Sequence, residues 1–384
     1  MKKTSQKAPA SKKPAAKPAT KAPSKPAAKP ATKAVVTNKK KEEPKKGNDK
    51  KPTQKKTNTK EKNVDVDKRA FVSGEAPKKV EKVELKIRTN MKCIKTVQAH
   101  DDWVERALLL SSGKIVTVGL DGVIKTWDVF KDAKKPLNML GGHTAGVTDV
   151  IEFGKDKIIT VSKDKTIRKW NVSTGKELFC YQTDQPLNCI KKIDDNLIAV
   201  GGTDKSVYIF DFSRDSVNEE ELEQIQKARM EEHKDEITSL ELTKDKVLIS
   251  ASTDKTICLW DLKNYKLIKK LEGHTDGVQC LKILKDDTLA SGSFDNSIKI
   301  WDLKKYTCIK TLTGHTGHVY CINQLPDGKL ISGASDWSLI AWDLEKGEQA
   351  FTLEGHEECI NSIDVFPDGK IVTGSTDQTM RIWD

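Results

Sequence analysis

Six histidines of the sequence stand in one fixed relation to an aspartate and a tryptophan. His100, His143, His233, His274, His315 and His356 are each followed 21 positions later by an aspartate: Asp121, Asp164, Asp254, Asp295, Asp336 and Asp377. Each is followed 27 positions later by a tryptophan: Trp127, Trp170, Trp260, Trp301, Trp342 and Trp383. Histidine and aspartate are the residue types of general acid–base catalysis, but that chemistry needs one poised set in one cleft. Six copies of the same spacings mark a repeated structural unit instead. The other candidates for chemistry are weaker. His315 and His318, in HTGH, are close enough to suggest a metal pair, yet His315 already belongs to the repeat. Asp286 and Asp287 fall in a polar stretch where aspartate is favoured for turn geometry. STGK at 173–176 lacks the first glycine of a phosphate loop, and no G-x-G-x-x-G, H-E-x-x-H or G-x-S-x-G occurs. The eight cysteines include no C-x-x-C pair, and no two lie closer than nine residues, which reads as buried reduced thiols rather than zinc ligands or disulfides. No catalytic set, cofactor site or metal site is expected, and therefore no enzyme.

The elements around these residues are short strands. Positions four and seven after each histidine are apolar, as in Val147 and Val150, or Val278 and Leu281. A polar turn follows, PDGK at 326–329 and again at 367–370, then an apolar and small run such as KLISGAS, a tight turn at the aspartate, and a run such as SLIAWD. A fourth run precedes the histidine: CIKTVQ at 93–98, KLIKKLE at 266–272, CIKTLT at 308–313, AFTLE at 350–354. A seventh copy fits between His143 and His233, with Thr183, Asp204 and Phe210 in the three marked places. Period-two runs joined by turns, four to a unit, indicate a propeller blade. The chain resembles the WD-repeat β-propeller family, with Gly-His before the first strand and Trp-Asp closing the third, and the resemblance covers residues 91–384. It implies an all-β, seven-bladed propeller. The last block stops at Trp383-Asp384, the end of a third strand, whereas CIKTVQ is a fourth strand with no three before it. The N-terminal strand is therefore expected to complete the last blade and close the ring.

In that family the histidine, aspartate and tryptophan join a serine or threonine four residues before the aspartate in a hydrogen-bonded chain. Here that position holds Thr117, Thr160, Ser250, Ser291, Ser332 and Thr373. Buried polar groups are tolerated when fully satisfied, so the implied role is to fix the blade turns. The third blade, with Thr183, Val200, Asp204 and Phe210, lacks the chain and is expected to be the least rigid. Its segment 216–232, SVNEEELEQIQKARMEE, reads as a short helix with Ser216 or Asn218 as N-cap. The resemblance also implies a binding face, built from the positions three and five after the histidine and the one before the aspartate. Most are small or polar, but Phe294, His318 and Tyr320 cluster, with Trp337 one residue past its aspartate, and Trp103 and Leu120 form a second group. Adjacent exposed aromatics are the composition of a protein-binding hot spot.

Charge divides the chain. Its net +11 is the sum of +19 in residues 1–90, which hold 26 Lys and 2 Arg against 9 acids, and −8 in residues 91–384. From Met1 to Asn63 there is no Phe, Trp or Tyr, and proline recurs. So little apolar surface cannot offset the entropy of ordering, so a disordered basic tail is expected over 1–63, a transitional linker over 64–90, and the propeller over 91–384. Without aromatic residues among the lysines, any nucleic-acid contact would be to phosphate. Lys39, Lys40, Lys41, Lys45 and Lys46 are candidates for polyanion contact or for an import signal. No apolar run approaches a membrane span, and the first residues lack the apolar segment of a secretory signal, so an intracellular location, nucleus or cytoplasm, is expected. The leading functional reading is a non-enzymatic scaffold that binds a protein or peptide on the propeller face, as a monomeric propeller within a complex, with the tail on a polyanion. One alternative is a chromatin-, RNA- or ribosome-associated protein whose tail is the main binder. Another is a substrate-receptor subunit of a ubiquitin ligase; against it, the tail offers no F-box-like helical segment, and WDLK at 260 and 301 departs from WDxR.

Overall fold

Runs of β-branched and small residues bounded by Gly, Asp and Asn turns leave the chain little choice but short antiparallel strands. The computed structural model describes residues 91–384 apart from 129, 132–134, 216–220 and 222–223; the basic tail, the linker and Lys39, Lys40, Lys41, Lys45 and Lys46 lie outside them. Among the described residues, 28 strands form seven four-stranded antiparallel sheets, the blades of a propeller. Six blades take their strands in sequence order. The seventh joins Cys93–Gln98 to Thr379–Trp383, Ile371–Ser375 and Ile360–Val365, in that order from the outside inward. Lys92 and Asp384 exchange backbone hydrogen bonds of 3.0 and 3.1 Å beside this pairing.

Burial sorts the strands by layer. Second strands such as Ile115–Gly119 and Leu289–Ser293 are buried along their whole length, because they lie inside a sheet whose two faces are covered by neighbouring blades. Outer strands such as Lys266–Leu271 are largely exposed. First strands adjoin one another around a central channel of about 990 Å3. Blades one and seven meet there: Ala107 N donates to Ser362 Oγ and Leu109 N to the Asp364 carboxylate, both at 2.9 Å.

Every first strand carries a β-bulge at its second residue, where the register jumps from Val104 to Arg106 in blade one and at the matching place in the other six. A bulged residue leaves the ladder, and its side chain is re-aimed. The seven bulged residues, Glu105, Thr148, Asn188, Thr238, Gln279, Tyr320 and Asn361, all line the channel. In four blades this side chain donates to a carbonyl on the next blade's first strand: Thr148 to Leu187 at 2.9 Å, Asn188 to Ile237 at 2.9 Å, Thr238 to Val278 at 2.6 Å and Asn361 to Val104 at 3.2 Å. The bulge thus places a donor where it bolts one blade to the next.

Two expectations need correction. The segment read as helical over 216–232 contains the strand Gln226–Glu231, which pairs with Ser206–Asp211 and buries Met230. A free sheet edge and the period-two placement of Ala228 and Met230 outweigh the local helix signals; residues 216–220 and 222–223 lie outside the described residues. The cysteines are free, but Cys180 and Cys308 are exposed, because both stand on outer strands with one face to solvent. Cys189, Cys258, Cys280 and Cys321 are buried, and burial pushes the Cys258 and Cys280 thiols up to about 12.

Candidate functional site

The repeated histidines are spent on structure. In blade five, Trp301 Nε1 donates to Ser291 Oγ at 2.8 Å, His274 Nε2 lies 2.7 Å from the same oxygen, and His274 Nδ1 lies 2.8 Å from Asp295. The Asp295 carboxylate can only accept, so Nδ1 carries the proton, and because burial keeps the ring neutral, Nε2 accepts from the Ser291 hydroxyl while that oxygen accepts from the indole N–H. The histidine is thereby held neutral in one tautomer. The same chain links His100, Thr117, Asp121 and Trp127 in blade one, and His143, Thr160, Asp164 and Trp170 in blade two. It recurs through His233, Ser250, Asp254 and Trp260, through His315, Ser332, Asp336 and Trp342, and through His356, Thr373, Asp377 and Trp383. Burial alone would raise the Asp295 pKa, yet hydrogen bonds from Ser297, the Thr275 backbone and His274 hold it at about 2. Burial lowers His143, His274 and His356 despite their aspartates. With every ring nitrogen taken, these histidines have no free lone pair for a substrate proton.

Blade three has no such chain and has built another. Tyr208 Oη donates to Asp204 at 2.5 Å and accepts from Gln185 Nε2 at 2.7 Å, while Arg229 lies over the Tyr208 ring at 5.6 Å and reaches Asp204 at 3.4 Å. Tyr208 stacks on Phe210, which contacts Tyr181, and Phe179 meets Phe212 edge-on. Fully buried Lys169 of blade two donates to the Phe212 carbonyl at 2.8 Å and pairs with Asp215 at 2.7 Å. A tyrosine two residues before Phe210 was the available signal for this substitute.

The face residues converge on one end of the channel. Trp103, Leu120, Phe294, Tyr320 and Trp337 line its mouth, and His318 stands against Phe294 with ring centroids 4.5 Å apart. Phe294 meets Tyr320 edge-on at 5.8 Å and packs over the Gly277 backbone. Leu120 covers Gly146 of blade two, and its backbone N–H bonds the Trp103 carbonyl at 3.0 Å. Trp337 is 52% exposed and occupies a left-handed turn position with φ 69°. The residue after the aspartate takes this conformation in all seven blades, where the others are Gly122, Lys165, Lys205, Lys255, Asn296 and Gln378. A bulky side chain is disfavoured there.

Glu105, the face position five after His100, stands apart from its counterparts in the other blades. Glu105 occupies the bulge position that carries a hydrogen-bond donor in blades two, three, four and seven, and an ionised carboxylate has no proton to donate. Desolvation, opposed by Lys163 and reinforced by Asp102 and Asp149, pushes its pKa up to about 7. Its legible signal was an acid at a place where the other blades carry Thr, Asn, Gln or Tyr. Deeper in the channel the charges are matched, with Arg106 Nε 3.7 Å from Asp149 and Lys191 2.7 Å from Glu241.

Comparison with known proteins agrees with this architecture. The family described as "WD domain, G-beta repeat" matches residues 91–128, 134–171, 224–261, 265–302, 306–343 and 347–384, together more than half of the chain. The blade left unmatched is blade three, whose histidine and tryptophan are replaced. A Danio rerio protein described as "p21-activated protein kinase-interacting protein 1-like" is 33% identical over 185 residues, an alignment covering 44% of this chain and 44% of that protein. The crystal structure of the WD40 β-propeller domain of Doa1 superposes with a TM-score of 0.68 at 24% identity, over 77% of this chain and 98% of that one, a likeness of fold. The repeats, their internal hydrogen-bond chains and the seven-bladed architecture place this chain in the WD-repeat β-propeller family.

Proposed function

We propose that this chain is a non-enzymatic scaffold whose channel mouth binds a protein or peptide partner, with the Lys-rich residues 1–90 adding contact to a polyanion in the nucleus or cytoplasm. The observation that carries the reading is Trp337. A large aromatic side chain is held exposed at a backbone conformation suited to glycine, next to Phe294, His318 and Tyr320. A strained backbone that holds a large side chain half in solvent is expected where that side chain serves a ligand. Rigid aromatic side chains lose little rotamer entropy on binding, so a few of them can dominate an interface at about 2 kcal/mol each or more. The Danio rerio relative is named for an interaction with a protein kinase, and a protein partner here is of the same kind. Among the described residues no helix is long and apolar enough to cross a membrane, and no group of three or more His, Cys, Asp or Glu could hold a metal ion. Affinity purification of the full chain against a Tyr320→Ala, Trp337→Gly double variant tests the reading. The main protein partner should be lost while the fold, followed by circular dichroism and thermal melting, is retained. Equal recovery by a folded variant rejects this face.

A further inference from the structure

The bulge position in blade one breaks the rule kept by four other blades. Thr148, Asn188, Thr238 and Asn361 each turn a donor toward the neighbouring first strand, and each is satisfied by it. Among the described residues, none forms a hydrogen bond or ion pair with the Glu105 carboxylate. Lys163 of blade two, the nearest cation in charge terms, donates instead to Asn188 Oδ1 at 2.5 Å. A desolvated carboxylate without a partner is costly, and the cost is removed when a cation is brought to it. The other groups facing Glu105 are Asp102 in its own loop, Asp149 of blade two and Tyr320 of blade six, itself beside Cys359. Glu236 and Glu358 also line the channel, whose seven carboxylates outnumber its five lysine and arginine side chains. Blades five and six, between Glu236 and Glu358, add the Phe294, His318 and Tyr320 rings, whose faces attract a cation in their own right. Carboxylates and aromatic faces around one mouth are the complement of an extended side chain with an apolar stem and a positive head.

We propose that the channel mouth seats the lysine or arginine side chain of a bound peptide, its stem against Phe294 and Tyr320 and its charge against the Glu105 carboxylate. This inference rests on the reading of the mouth as the partner-binding face and adds what the partner must present there. Proton binding competes with the cation. Raising the pH from 6 to 8 ionises Glu105 and strengthens capture.

The test is selection of a random peptide library displayed on phage, panned on the full chain at pH 8, in parallel with Glu105→Gln and with the Tyr320→Ala, Trp337→Gly variant. Selected peptides are then resynthesised and measured by calorimetry at pH 6 and pH 8. The expected result is peptides with a shared Lys or Arg that bind Glu105→Gln at least tenfold more weakly, bind the intact chain more weakly at pH 6, and lose affinity when that residue becomes Gln. Peptides that need Tyr320 and Trp337 but no basic residue, or that ignore Glu105→Gln, overturn the inference and leave the face standing. Basic peptides that bind all variants alike report only the −8 charge of residues 91–384 and also overturn it. A pH dependence that persists in Glu105→Gln arises from another group and overturns the role of the carboxylate. If no peptide depends on Tyr320 and Trp337, the face reading fails as well.

Discussion

Replacing Trp337 separates strain from packing. A non-glycine residue in the left-handed region costs about 1–2 kcal/mol, and φ 69° lies within it. Glycine removes that cost but gives back about 0.5–1 kcal/mol through the freedom of the unfolded chain. Trp337→Gly should therefore be more stable than Trp337→Ala by about 0.5–1 kcal/mol, the reverse of the usual order of these residues in regular structure. Both variants lose the buried half of the indole. Tryptophan offers about 150–250 Å2, and half of that at about 25 cal/mol per Å2 sets an upper bound of about 2–3 kcal/mol for the loss. Strain relief offsets part of this in Trp337→Gly, leaving it about 1–2 kcal/mol below the parent chain. For a domain of this size each kcal/mol moves Tm by about 2 °C, so differential scanning fluorimetry with chemical denaturation resolves the order. Partner affinity should fall at least tenfold in both. If alanine equals or exceeds glycine, the strain reasoning is wrong. If both lose more than about 4 kcal/mol, a loss of the size seen for buried tryptophan, Trp337 is a packing residue and the face has to be sought around Trp103 and Leu120.

Glu105→Gln should stabilise the fold above pH 7: a carboxylate raised from 4.5 to about 7 contributes most below 4.5 and loses its contribution as pH rises through 7, and glutamine escapes that loss while supplying the missing donor. Channel water reduces the full shift to about 1–2 kcal/mol at pH 8, with the gap closing near pH 4.5; equal Tm values for the two chains at pH 8 would refute it. Tyr208→Phe should cost about 1–2 kcal/mol by leaving Asp204 and Gln185 without their buried partner, and an unchanged denaturation midpoint would remove the substitute network of blade three. Acid should destabilise the propeller in two steps. The lowered His143, His274 and His356 contribute above pH 6.5 and lose this as pH falls through their folded values, and the lowered blade aspartates follow below about 4, so a Tm that stays flat from pH 7 to pH 5 contradicts the assignment of neutral histidines. Binding of the full chain to duplex DNA, if carried by about eight lysine–phosphate contacts of residues 1–90, should follow log K against log salt with a slope near −7; a shallow slope or a strong sequence preference would sink the polyanion role.

Much of the fold was legible because propeller blades repeat. One residue type at one spacing, seen six times, averages out the ambiguity that single-strand propensity leaves, and the hydrogen-bond chains from His100 to Trp383 lie at the residues whose spacing exposed them. Where the repeat fails, local signals misled. Residues 226–231 carry helix-forming Gln, Lys, Ala, Arg, Met and Glu, yet the free edge at Ser206–Asp211 makes them a strand, a tertiary effect that no local window contains. The channel mouth was legible as a set of face positions, and Phe294, His318 and Tyr320 do touch. The bulge at Glu105 and the left-handed turn at Trp337 were not, since both are properties of backbone path. They become visible only when the register and φ are known.

The seven blades also allow each departure from the repeat to be weighed against six controls. Blade three departs at the histidine, hydroxyl and tryptophan positions, but Tyr208, Gln185, Arg229 and the rings around Phe210 restore a satisfied network, so that departure closes within the fold. Glu105 and Trp337 are different. Threonine or asparagine at the first would bond the neighbouring strand, as Thr148 and Asn361 do, and glycine or asparagine at the second would relieve the left-handed backbone, as at Gly122 and Asn296. Lys165, Lys205, Lys255 and Gln378 carry the same backbone cost as Trp337 but no aromatic ring. Nothing among the described residues compensates the unpartnered carboxylate or the strained indole. Local inconsistency without internal compensation is expected where a structure meets a ligand rather than itself. Two such sites arise on blades one and six, which are not neighbours, yet both open on the same end of the same channel. Their chemistries, an anion and an aromatic surface, are the two halves of a cation site. Chance departures would have no reason to share an end or to complement each other, whereas one ligand spanning the mouth requires both.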